Sequence, residues 1–153
     1  MRRIFILLFG ISALILCIAY AAEYLFHLKA CKLCQLQRIP YFLLITGSIF
    51  GLYTSHKMIV LRILQACLVL GFFVACYHSA VVFGLVNDPC LANPRLDDIE
   101  SFKAVIEKAI PCSASVWKPF HIPASIFNAL LSMSLLLVIQ MSKRKFGFLM
   151  ANT

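Results

Sequence analysis

The chain has 153 residues, of which 62% are hydrophobic and 13% charged, with a formal net charge of +8. A soluble domain of this size cannot bury so much apolar surface, which excludes a water-soluble globular fold. Nor does the charge mark a nucleic-acid binder. The basic residues sit in short clusters beside apolar runs, with no long basic stripe interleaved with aromatics, and that is the pattern of juxtamembrane anchoring.

A membrane-spanning helix needs roughly 20 mostly apolar residues, with about 17 to 25 tolerated. The first such run is 4–26, interrupted only by Glu23 near its end. Arg2, Arg3 and Ala19-Tyr20-Ala21 are ingredients of a cleavable signal peptide. The apolar run, however, is longer than the roughly 7 to 15 residues of such a segment, so a retained helix is expected. Leu14-Ile15-Leu16-Cys17 lacks the small residue that a lipoprotein signal places before its cysteine.

A short connection, 27–38, carries Cys31-Lys32-Leu33-Cys34 and leads to a second run, 39–53. Two cysteines separated by two residues can close a small disulfide ring, and their surroundings can lower the pKa of one thiol. Only a thiolate attacks a disulfide. Lys32, Arg38 and the start of the following helix supply positive potential, and Pro40 suits a first helical turn. How far the helix dipole helps Cys34 depends on whether the helix starts nearer Cys34 or Ile39. Arg38 follows Cys34 by one helical turn, at the head-group boundary. There it can stabilise a thiolate and polarise an acceptor oxygen, or serve as an ordinary snorkelling arginine. A zinc site is not expected, because a second C-x-x-C is missing and the nearest histidine is His27. A purely structural disulfide is a weak alternative in a loop too short to need stapling.

The turn Thr54-Ser55-His56-Lys57 opens a third run, 58–86, which contains His78 near its far end. A polar residue within a span is often functional, and is otherwise a bonding partner of a neighbouring helix. Cys17, Cys67 and Cys76 lie inside apolar runs and read as packing residues. Beyond the third run comes the polar stretch 87–122, with single cysteines at Cys90 and Cys112. Between them Leu96, Ile99, Phe102, Val105, Ile106, Ala109 and Ile110 recur at helical spacing, predicting an amphipathic surface helix opened by Pro94 and closed by Pro111. Cys90 and Cys112 read either as a static disulfide, stabilising by about 3 kcal/mol through loop closure, or as a redox pair partnering the C-x-x-C. Their company on one face favours the redox pair.

The last run is 123–142, ending before Lys143-Arg144-Lys145. Glu23 and Asn128 are candidates for inter-helix hydrogen bonds. The expected architecture is an all-α membrane protein: a four-transmembrane-helix bundle in one domain, with the amphipathic surface helix in the second outer loop. Arg2, Arg3, Lys57, Arg62, Lys143, Arg144 and Lys145 hug helix ends on the terminal face; the opposite face has as many, Lys29, Lys32, Arg38, Arg95, Lys103, Lys108 and Lys118, but much of that set is spread along the long loop. Both termini are therefore expected in the cytoplasm, with the loop cysteines outside, where disulfides persist.

The chain resembles the bacterial disulfide bond formation protein B (DsbB) family over nearly its whole length. The residues that carry the likeness are Cys31-Lys32-Leu33-Cys34, Gln37-Arg38-Ile39-Pro40-Tyr41, Tyr77-His78, Cys90, Cys112 and Ile122-Pro123. Ala30 departs from the pattern, standing where a proline often precedes the first cysteine. The resemblance implies a protein-disulfide oxidoreductase of the inner membrane that uses ubiquinone or menaquinone. Its implied partner is a periplasmic DsbA-like thiol oxidase that attacks the Cys90–Cys112 disulfide. Electrons would pass by exchange to Cys31 and Cys34, with Cys34 beside the quinone, Arg38 binding its head group and His78 near the pocket. Two rivals remain: an enzyme similar to the vitamin K epoxide reductase group, whose active pair lies later in the bundle, and a non-catalytic scaffold with structural disulfides.

Overall fold

The computed structural model describes residues 2–28, 30–90, 111–113 and 122–151, with side chains described to Arg144. The predicted surface helix lies outside these residues. Among the described residues the chain is all helical: α1 Arg2–Tyr24, α2 Lys32–Leu36, α3 Ile39–Tyr53, α4 Lys57–Val82 and α5 Ala124–Ala151.

Three helices are long and apolar enough to cross a membrane, namely Arg2–Tyr24, Lys57–Val82 and Ala124–Arg144. The 15-residue α3 covers only about 22 Å at the helical rise. It carries no charged residue, and α2 precedes it through Gln37 and Arg38, both with right-handed helical backbone. By itself α3 is shorter than a hydrocarbon core of about 30 Å, and α2 stands ahead of it in the connection 27–38.

Helix ends follow local chemistry. α4 stops at Val82, short of the end of its apolar run, because Gly84 turns left-handed at φ 72° and its N–H donates to the Val81 carbonyl. α1 ends at Tyr24, and His27 takes φ 52° in the connection that follows.

The helices pack in the order α1, α3, α4, α5, with α1 also touching α5. Phe5, Leu8, Leu44, Leu61, Leu64, Leu68 and Ile139 form the core, while Ile6, Leu14, Phe50, Leu70, Phe73 and Leu137 point outward. Only 28%, 33% and 22% of the three span windows are buried inside the protein, so most of their apolar surface is left for lipid. Polar contacts lock the pairs: Tyr41 donates to Asn128, Ser79 pairs with Ser125 at 2.9 Å, and Gln65 meets Gln140 and Lys143.

Candidate redox site

The helix of the second run, α3, starts at Ile39, the far end of the range left open by the sequence, and a separate short helix, α2, starts one residue after Cys31. Cys31 is the N-cap of α2, with extended backbone, and its Sγ accepts a hydrogen bond from the Cys34 N–H at 3.3 Å. Cys34 lies one turn in, with its Sγ 2.9 Å from that of Cys31. The Cys34 N–H therefore favours charge on Cys31, while α3, starting five residues after Cys34, brings its own N-terminus no nearer than Ile39. The Cys34 thiol, hydrogen-bonded to Cys31, lowers the Cys31 pKa to about 4; burial opposes this, and His78 adds to it. Cys34 is pushed up, because its proton is shared with Cys31 and because it is desolvated. Both shifts run in the direction that favours charge on Cys31 and the proton on Cys34.

His78 is 1% exposed on α4, with Nε2 3.7 Å from the Cys31 sulfur. Its Nδ1 faces the Gln37 amide at 3.2 Å. Gln37 is itself buried, so the ring is oriented from both sides.

Cys90 and Cys112 are joined by a disulfide with Cα atoms 5.6 Å apart. Both are buried and pack with Cys31 and Val81 as one cluster, with Leu33 and Cys34 against it. Asp88 holds the two ends of this loop together: one carboxylate oxygen accepts from the Cys90 N–H at 2.9 Å, the other from the Ser113 N–H at 2.7 Å. Burial raises the Asp88 pKa, but the N–H donors of Ser113 and Cys90 outweigh it and hold the carboxyl below its ordinary value.

Arg38 turns toward α1. Its guanidinium is 2.6 Å from Glu23 Oε2, an ion pair without a well-aligned hydrogen bond to that oxygen, and lies 4.7 Å over the Tyr20 ring. Tyr20, Glu23, Tyr24, Gln35, Arg38, Ile39 and Phe42 line a cleft of about 300 Å³ beside the cysteine pair. Cys34 is not among the lining residues, though its neighbour Gln35 is.

Of the six residues singled out in the sequence, the four cysteines and His78 meet in one cluster, while Arg38 sits at the adjoining cleft. Gln37 and Asp88 were missed. Asp88 had a local signal, a carboxylate two residues before a cysteine in a turn, where Asp side chains bond the backbone two positions on. Gln37 had none.

Chemically, a dithiol packed beside a disulfide can support thiol–disulfide exchange. A model of the family described as disulfide bond formation protein DsbB matches residues 1–141. The chain belongs to the DsbB family. It is thus a membrane protein of disulfide bond formation and a disulfide oxidoreductase. An uncharacterized protein of Rickettsia prowazekii (strain Madrid E) is 29% identical over 145 residues, covering 86% of this chain and 81% of the relative. No solved structure matches the chain.

Proposed function

We propose that this DsbB-family chain is an inner-membrane thiol:quinone oxidoreductase that reoxidises a periplasmic DsbA-type dithiol oxidase. The reading takes the chain as one four-span domain, with termini cytoplasmic and the loops 27–38 and 87–122 periplasmic. The observation that carries it is the packing of Cys31, Cys90 and Cys112 in one buried cluster with Cys34 against it, which brings the C-x-x-C pair to the side of the disulfide.

In this relay a partner thiolate attacks Cys90, forming a mixed disulfide and releasing Cys112 as the leaving thiolate. The partner's second thiol then displaces Cys90, so the partner leaves oxidised and two electrons stay on Cys90 and Cys112. Exchange with a Cys31–Cys34 disulfide re-forms Cys90–Cys112 and moves both electrons to the C-x-x-C pair. The cleft between α1 and the start of α3 fits a flat head group: Tyr20 and Phe42 offer ring faces and edges, and Arg38 offers a positive charge. Bound there, ubiquinone or menaquinone would supply an acceptor for the two electrons and two protons that Cys31 and Cys34 give up on returning to a disulfide. Arg38 favours negative charge developing on an acceptor oxygen, and Glu23 fixes its direction.

The deciding measurement is quinone absorbance in detergent after adding reduced DsbA-type partner, for wild type and Cys34→Ser. Reduction by wild type alone supports the relay. With quinone bound and the fold intact, no reduction in either sinks it, and electron flow in the opposite sense would favour an enzyme similar to the vitamin K epoxide reductase group.

A further inference from the structure

The helix packing adds a histidine to the C-x-x-C pair that chain spacing does not place there. Cys31 Sγ, Cys34 Sγ and a His78 ring nitrogen all lie within 4.8 Å of one another. In a tetrahedral zinc site, metal–sulfur bonds are about 2.3 Å and metal–nitrogen bonds about 2.0 Å. Tetrahedral angles then separate two sulfurs by about 3.8 Å, and a sulfur from a nitrogen by about 3.6 Å.

The distance from Cys31 Sγ to His78 Nε2 is 3.7 Å, already the edge such a site needs. The two sulfurs, 2.9 Å apart, must open by about 0.9 Å to meet that geometry. A rotation of Cys34 about χ1 supplies this, since Cys34 is only half-buried. The supporting shell is also present. Gln37 faces His78 Nδ1 at 3.2 Å, and with its carbonyl oxygen turned toward the ring it accepts the Nδ1 proton, leaving the Nε2 lone pair toward the sulfurs. The other sulfur-rich trio, Asp88 with Cys90 and Cys112, has both its sulfurs in a disulfide and so lacks thiolate ligands.

We propose that, in the dithiol state, Cys31, Cys34 and His78 bind one thiophilic divalent cation of the zinc class, with the fourth position open to water. Whatever protons the two thiols still carry pass to solvent on binding, and no electrons move. A disulfide sulfur is not a thiolate ligand, so oxidising the pair releases the ion, and the bound ion holds the pair out of disulfide exchange. The capture requires neither quinone nor a protein partner and stands whether or not the relay proposed above operates.

The test uses the full-length protein in detergent, reduced, freed of reductant without air, and titrated with Co2+ and then Zn2+. Expected are one equivalent of Co2+ with sulfur-to-cobalt charge-transfer and tetrahedral ligand-field bands, displaced by Zn2+. The bands should be absent from the same protein oxidised at Cys31 and Cys34, a control that needs no mutation. His78→Ala should weaken binding by more than about tenfold, since even outer-shell changes cost that much, and His78→Cys should restore it as a three-sulfur site. Absence of the bands in folded, reduced wild type would overturn the proposal. So would equal binding by the oxidised protein, or loss on His27→Ala with retention in His78→Ala, which would assign the ion to a surface histidine.

Discussion

Asp88 shows how one carboxylate can set the behaviour of a neighbouring disulfide. It bonds backbone on both sides of the Cys90–Cys112 bridge, so the two cysteines stay in register when the bridge opens. Its negative charge also disfavours free thiolates beside it, and both effects push toward the closed disulfide. In Asp88→Asn the NH2 that replaces one carboxylate oxygen cannot accept, so one backbone N–H loses its partner, at a cost of about 1–3 kcal/mol. The Cys90–Cys112 pair should become more easily reduced, by roughly 30 mV for each 1.4 kcal/mol, measured by equilibration with glutathione and thiol trapping. An unchanged equilibrium would show that the clamp is decorative. The carboxyl is held below its ordinary 3.8, so its contribution is fully present above that pH and is lost only as pH falls through the depressed value. The gap between wild type and Asp88→Asn should therefore stay constant from about pH 5 upward and close only in acid. The four loop cysteines and the Asp88 turn are legible because they are local or chemically distinctive. The Gln37–His78 contact joins residues 41 apart in the chain, and exists only once α3 and α4 pack.

At the scale of elements, the packing of α1 on α3 rests on an absent side chain. Gly51 of α3 lies against the Phe5 ring, and a Cβ added there would meet that ring's carbons. Phe5 is fully buried in the core and cannot swing into open space. Gly51→Val should destabilise the bundle by about 1–3 kcal/mol, as overpacking does, and lower the thermal midpoint in detergent. Gly10→Ala is the matched control, because nothing stands within 4 Å of its would-be Cβ. Equal midpoints for the two variants would refute the close approach. The apolar runs placed α1, α3, α4 and α5 well, since helix-length hydrophobicity is written in composition. They did not reveal α2, a five-residue helix whose start is fixed by the Cys31 sulfur capping the Cys34 N–H. Nor did they show α4 ending at Val82, which follows from the left-handed Gly84 and not from any loss of hydrophobicity.

For the whole molecule, the functional question is which end of the bundle faces out. α4 and α5 run antiparallel, with Ser79 on Ser125 near one end and Gln65 beside Gln140 and Lys143 toward the other. The cysteine cluster with Val81 and His78 lies at the Ser79 end. Arg62 and Lys143 lie at the other, Arg62 about 24–28 Å from His78 and Val81 along α4 at the helical rise. A bilayer core is about as thick, so the two ends belong on opposite faces. Basic residues next to span ends favour the cytoplasm, and Arg2, Arg3, Lys57, Arg62, Lys143 and Arg144 are gathered there. The prediction is read with a membrane-impermeant maleimide on intact cells, using single cysteines in a parent whose native cysteines are replaced by alanine. Asn87→Cys, beside the redox loop, should be labelled, and Ser55→Cys, in the turn between α3 and α4, should react only after the membrane is opened. The reverse pattern would put Cys31, Cys34, Cys90 and Cys112 on the reducing side, where disulfides do not persist. It would thereby remove the periplasmic oxidase partner from the proposed relay while leaving the metal-binding trio untouched.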